Sequence, residues 1–251
     1  MIELEKTGTI TVMRMVRGKG NALNLEFLSK LVDTLEELER SDTRAVIITG
    51  KDNMFSAGVD LPALVAGGSE YARQFVPMME RCFERFAMFP KPLVAAVNGH
   101  AIAGGAIIMF ACDQRLLARG TARIGLTEVL VGVMFPAWAM EIARYATPPH
   151  HFPTLICTGR TWLPEESLQR GLVDELLDPQ QLLERALRVA EELSKVSPEI
   201  FSASKLAVRR TLLKDAAQQS LSTAPTVIAN WSSRETLQRV ADFVHQRIKR
   251  E

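Results

Sequence analysis

Cysteine is scarce in this chain. There are three in 251 residues, Cys82, Cys112 and Cys157, an odd number, far apart, each among apolar neighbours. That excludes a disulfide framework and argues against a zinc site; the expectation is three buried thiols in a reducing cytoplasm. Neither sign of charge is in excess: 30 Lys and Arg against 29 Asp and Glu leave a formal net charge of +1. Such a balance lacks the electrostatic footprint of a nucleic-acid or anionic-membrane binder. No apolar run of about 18 residues escapes interruption by charge, so no membrane span is expected. The opening Met1-Ile2-Glu3-Leu4-Glu5-Lys6 is acidic from its third residue, which is wrong for a signal peptide. What the chain has is apolar content, 47% of its residues, and enough length to bury a sizeable core.

The patterning divides the chain. Ile10 to Val16 alternates β-formers with polar residues, as a half-buried strand does. Asn24 stands at an N-cap position ahead of the helical stripe Phe27, Leu28, Leu31, Leu35 and Leu38. Arg44 to Gly50 and Leu93 to Val97 are apolar runs suited to strands covered on both faces, and a helix over roughly 70–88 lies between them. This alternation implies parallel strands with crossover helices. From about residue 136 the texture is helical. Pro148-Pro149 breaks one helix and Pro164 opens another, while 182–193, 201–213 and 232–249 are amphipathic. The expectation is an α/β core over residues 1–195 with a helical C-terminal extension over 196–251.

Two glycine-bearing turns carry the chemical interest. Phe55-Ser56-Ala57-Gly58-Val59-Asp60 follows one buried strand. Asn98-Gly99-His100-Ala101-Ile102-Ala103-Gly104-Gly105 follows the next and opens an apolar helix at Ala106. In an open α/β sheet, ligands bind beyond the carboxyl ends of the strands, where both turns would lie. Small residues let a ligand approach the main chain, and two N–H groups converging on one oxygen make an oxyanion hole.

These turns, followed by Cys112-Asp113, then Ile124-Gly125-Leu126-Thr127-Glu128 with Gly132, and then Gly159-Arg160 with Glu165 to Asp174, resemble the crotonase superfamily, the enoyl-CoA hydratase/isomerase family, in order and spacing. The resemblance implies a crotonase-like spiral of repeated ββα units that binds acyl-CoA thioesters. It implies an enolate held by the main-chain amides that align with Ala57 and Gly104. The CoA-contacting segment would run from Ala57 through Gly58 and Val59 to Asp60, with Ala22, in Asn21-Ala22-Leu23-Asn24, on the other CoA-binding edge. Acyl-CoA is then substrate, no cofactor or metal is called for, and the family's trimers or dimers of trimers are the expected assembly.

Family hydratases split water with two glutamates. The first falls at Ile107, an aliphatic residue grouped here with the substrate-contacting positions; the second matches Glu128. One carboxylate cannot readily do that two-handed work, but it can take a proton from C2 of a 3-enoyl thioester and return it to C4. The pattern is similar to that of the family's 3,2-trans-enoyl-CoA isomerases, which serve β-oxidation of unsaturated chains, including Gly132-Val133 with Pro136 and Trp138. A hydratase using another carboxylate, other enolate chemistry, and a catalytically silent acyl-CoA binder are the alternatives. Glu128 is expected among apolar groups (Ile107, Leu126, Val133, Phe135) that raise its pKa, against the plainer possibility that it pairs with Arg123. Structural roles are expected for His100 and Asp113. The adjacent His150 and His151 should face apart, and Arg247, Lys249 and Arg250 should form a solvated helix end.

Overall fold

Helix and strand formation follow from the apolar stripes. The computed structural model describes residues 1–248. An edge strand, β1 (Ile2–Thr7), pairs antiparallel with β2 (Ile10–Met15), and α1 (Leu25–Arg40) follows, capped by the Asn24 side chain accepting the Phe27 N–H. Three ββα units succeed it. The first is β3 (Ala45–Thr49), β4 (Met54–Ser56) and α2 (Leu61–Met88). The second is β5 (Leu93–Val97), β6 (His100–Ile102) and α3 (Gly104–Phe110). The third is β7 (Gln114–Ala118), β8 (Ile124–Gly125) and α4 (Glu128–Val131). The remainder is α5 (Ala137–Ala146), α6 (Phe152–Cys157), β9 (Thr161–Trp162), α7 (Pro164–Gln169), β10 (Glu175–Leu177), α8 (Leu182–Ser194), α9 (Pro198–Val208), α10 (Arg210–Ser232) and α11 (Arg234–Ile248).

The first strand of each unit joins a large sheet, ordered β1-β2-β3-β5-β7-β10 and parallel from β2 onward. The second joins a small one, ordered β4-β6-β8-β9. Alternation along the strands assigns the two faces of the large sheet. Ala45, Ile47, Val94 and Ala96 meet Leu182, Ala186, Val189 and Ala190 of α8. Val46, Ile48, Ala95 and Val97 face the main core with α1, α2 and α3. The spiral therefore brings the carboxyl ends of β4, β6 and β8 side by side, each opening onto a helix.

Several expectations need correction. The two glycine-bearing turns contain β4 and β6, strands of three residues whose pairing lies across units. Helix α2 begins at Leu61, not near 70; it is capped by Asp60 and kinked at Gly68 (φ 58°, ψ −150°), a conformation open to glycine. Helix α3 begins at Gly104, two residues early. The expected helix over 201–213 divides at Arg209. Cys82 and Cys112 are buried, and burial raises both thiols, Cys112 to about 12, but Cys157 is exposed. The His150 and His151 rings lie together, tilted by 49° with centroids 4.0 Å apart, instead of facing away from each other. Lys249, Arg250 and the Arg247 side chain lie outside the described residues.

Asp113 ties the C-terminal helices to the core. Its carboxylate accepts Lys205 Nζ at 2.7 Å, an Arg209 guanidinium N–H at 2.8 Å and the Leu93 N–H at 2.8 Å. The two cations also donate to the Lys91 and Ala87 carbonyls. Burial lowers the Lys205 pKa to about 8, against the pull of Asp113.

Candidate functional site

Glu128 begins a helix of four residues at the end of β8. A single turn has little stability of its own, so its flanks hold it. Thr127 stands at the N-cap, and Gly132 closes the C-terminus at φ 73°. The Glu128 side chain is 8% exposed. Among the described residues it makes no ion pair, and its Oε2 has no hydrogen-bond partner. Arg123 does not neutralise it: that guanidinium donates to the Thr161 carbonyl at 3.3 Å. An unpartnered buried carboxylate oxygen is costly to keep. Burial pushes the Glu128 carboxyl up to about 7, while the backbone N–H groups of Glu128 and Thr127 pull weakly the other way.

The carboxylate lines a cavity of about 70 Å³. Its lining comprises Ala57, Val59, Leu61, Ile102, Ala103, Thr127, Val131, Val133, Trp231 and Phe243 beside Glu128. Glu128 is the only titratable side chain among them. Of its expected apolar neighbours only Val133 lines the cavity. Ile107 and Leu126 are fully buried in the main core, and Phe135 packs against that core.

Around the cavity the sequence-derived positions converge unevenly. Gly104 occupies the first position of α3, where a helix offers its N–H no intrahelical acceptor. Gly58, at φ 80°, sits against it. A Cβ there would lie 3.1 Å from the Gly104 nitrogen and 2.7 Å from both the Ala103 Cβ and the Ile102 oxygen. Ala103, joining β6 to α3, adopts φ 51° and ψ −128°, a region that costs a non-glycine residue on the order of 1–3 kcal/mol. The turn is held by the Ala103 N–H donating to the Gly125 carbonyl at 2.9 Å and the Ile107 N–H donating to the Ala103 carbonyl at 3.1 Å. The Ala57 N–H, the other expected donor, already donates to the Gly20 carbonyl at 2.8 Å. A ligand oxygen at Ala57 must share or displace that bond, whereas the Gly104 N–H, at the start of α3, has no intrahelical acceptor.

The expected CoA-contacting segment is stitched to its opposite edge. The Leu23 N–H donates to the Gly58 carbonyl, and the Asp60 N–H to the Leu23 carbonyl. Asp60 caps α2 through the Ala63 N–H and accepts Arg17, which also donates to the Ala22 carbonyl at 2.6 Å. Both carboxylate oxygens of Asp60 are thus engaged within the fold. His100 Nδ1 accepts the Arg123 backbone N–H, and burial with that nearby cation lowers its pKa.

Trp231, expected as a packing residue, and Phe243, expected on the apolar face of 232–249, were not assigned to the site from the sequence. They stand on α10 and α11, more than a hundred residues beyond Glu128, and only the packing of both helices against α2 brings them to the cavity. Trp138, part of the isomerase-like pattern, lies in a separate depression with Val76 and Val227.

The resemblance is matched by comparison with known proteins. The family model for enoyl-CoA hydratase/isomerase matches residues 5–247. A putative enoyl-CoA hydratase of Thermus thermophilus is 35% identical over 210 residues, 82% of each chain. Human mitochondrial enoyl-CoA delta isomerase 1 is 27% identical over 100% of this chain and 84% of its own. In fold, the crystal structure of human mitochondrial delta3-delta2-enoyl-CoA isomerase matches with a TM-score of 0.94, covering 100% of this chain and 99% of its own at 24% identity. A family match across nearly the whole sequence, on a spiral of ββα units, places this chain in the enoyl-CoA hydratase/isomerase family of the crotonase superfamily.

Proposed function

We propose that this protein is an isomerase that moves the double bond of a fatty enoyl-CoA thioester from C3 to trans-C2. The observation that carries this reading is the solitary carboxylate: Glu128 lines an apolar cavity with one oxygen unpartnered, and the position that the resemblance gives to a hydratase's other glutamate is Ile107, aliphatic and fully buried.

The chemistry follows from that placement. A thioester α-proton is too weakly acidic for a carboxylate to remove unaided. Fixed N–H dipoles beside the carbonyl oxygen make removal feasible by holding the charge that develops there, and loss of one such donor costs about 3–4 kcal/mol in comparable sites. The Gly104 N–H supplies one donor and the Ala57 N–H, shared with Gly20, the second. Ionised Glu128 takes a proton from C2, and the electron pair spreads over the carbonyl and the C3–C4 double bond. Protonated Glu128 then delivers the proton to C4, leaving C2 and C3 doubly bonded. Atoms and oxidation state are conserved, so this route requires no redox partner. A carboxyl near pKa 7 suits a group that must both accept and return a proton. Val59, Leu61, Val133, Trp231 and Phe243 keep water from the enolate.

Hydration is the second reading, favoured by the name of the Thermus relative; it requires a second carboxylate beside the acyl chain. The test offers a 3-enoyl-CoA and follows the rise of conjugated-thioester absorbance, then offers a 2-enoyl-CoA and follows its loss. Rise with the first and little loss with the second supports isomerisation. Rapid hydration of the second overturns it, and acyl-CoA binding without either reaction favours a silent binder. Exposed Ile200, Val208 and Leu221, on α9 and α10, support assembly into a trimer or dimer of trimers.

A further inference from the structure

Among the described residues no other side chain holds the Glu128 carboxylate, which is met only by the backbone N–H groups of Thr127 and Glu128 itself, and the helix that bears it is one turn long. Placement of the acid must come from the two ends of α4. The N-terminal end is secured by β8, hydrogen-bonded between β6 and β9. The C-terminal end runs into an irregular segment, Gly132-Val133-Met134, whose return bonds to α4 are long, 3.3 Å from the Gly132 N–H to the Val129 carbonyl and from the Val133 N–H to the Glu128 carbonyl.

That segment is secured from α10. The Asn230 amide donates Nδ2–H to the Gly132 carbonyl at 3.2 Å, and its Oδ1 accepts the Met134 N–H at 2.8 Å. The next residue, Trp231, donates Nε1–H to the Met134 carbonyl at 2.8 Å, and its ring lines the cavity. One planar amide thus bridges two backbone groups on either side of Val133, a cavity-wall residue, as a splint would. Asn230 Nδ2 also reaches Thr236 Oγ1 at 3.4 Å, beside the turn between α10 and α11.

We propose that Asn230 is a positioning residue for Glu128: its side-chain amide fixes the Gly132–Met134 segment, and through it the orientation of the proton shuttle and the dryness of the cavity. The proposal rests on the isomerase reading given above. It also makes the C-terminal extension part of the site, because the splint and two cavity walls come from α10 and α11. Asn230 does not touch the reacting atoms and acts only through the segment it holds.

The test compares Asn230→Ala, which removes both bonds, with Asn230→Asp, which keeps the acceptor for Met134 and loses the donor to Gly132. For Asn230→Ala the expected result is a fall in kcat of roughly tenfold or more on a 3-enoyl-CoA, as misplacement of a catalytic group gives. KM should change much less, and the acid limb of the pH–rate profile should move from about 7 toward 4.5 as water reaches Glu128. Asn230→Asp should fall between Asn230→Ala and the parent chain. An NMR titration of the Glu128 carboxyl in the parent chain and both variants gives the same comparison whichever reaction the enzyme performs, so failure of the isomerase reading is separable from failure of the splint. An unmoved acid limb and Glu128 titration overturn the proposal, even where thermal stability falls. If Asn230→Ala does not fold, the Asn230→Asp titration decides by the same criterion.

Discussion

Glu128, the proton carrier of the proposed reaction, is also a local source of instability. Its carboxyl ionises near 4.5 in an ordinary setting and near 7 when folded, so between those pH values the folded chain holds a proton that the unfolded chain has released. Stability from this site therefore falls as pH rises from about 4.5 to 7 and stays reduced above, by at most about 3 kcal/mol. Glu128→Gln removes that burden. Its thermal unfolding midpoint should exceed that of the parent at pH 8, with the difference closing near pH 4.5. The same variant should lose about 10²–10⁴-fold in kcat while acyl-CoA affinity persists, because only proton transfer is removed. In the parent, kcat/KM for isomerisation should fall about tenfold per pH unit below 7, since the working form is the carboxylate. Glu128 was legible in the sequence as a candidate because the resemblance aligns it with the second glutamate of the family's hydratases. Its freedom from Arg123 was not, because that depends on where the guanidinium goes.

At the scale of elements, the site is made where β4 and β6 end. Gly58 allows the two turns to approach, and its φ of 80° disfavours any side chain. Gly58→Ala should push the Ala57 and Gly104 turns apart. The expected effect is a loss of about 1–3 kcal/mol in stability for a strained backbone, with a fall in kcat/KM; circular-dichroism melts and initial rates check both. The buried strands and capped α1 were readable because runs such as Ala45–Thr49 and the stripe from Phe27 to Leu38 repeat at a fixed period. The strands β4 and β6 were not. Three residues bounded by small turn-formers show no period, and what makes them strands is pairing with one another across units. The early start of α2 lies beyond Gly67-Gly68, residues of low helix propensity, and the helix continues past a kink there.

Over the whole molecule, the C-terminal helices close the site by long-range packing. Local pattern showed that α10 and α11 had apolar faces. It did not show that Trp231 and Phe243 would reach Glu128, because that depends on packing of both helices against the distant α2, with Asp113 holding Lys205 and Arg209 at the root of the extension. Asp113→Ala leaves two buried cations without their counter-ion, a loss on the order of 3–5 kcal/mol. Urea titration should show that loss. Activity of the surviving folded fraction should fall too, since the cavity walls depend on the same helices.

The central claim is that one acid moves one proton within a dry cavity. A 3-enoyl-CoA carrying deuterium at C2, followed through a single turnover in ordinary water, reads this directly. Deuterium at C4 of the 2-enoyl product, with no 3-hydroxyacyl-CoA formed, is the predicted result. Complete loss of the label to solvent, together with accumulation of 3-hydroxyacyl-CoA, would contradict it.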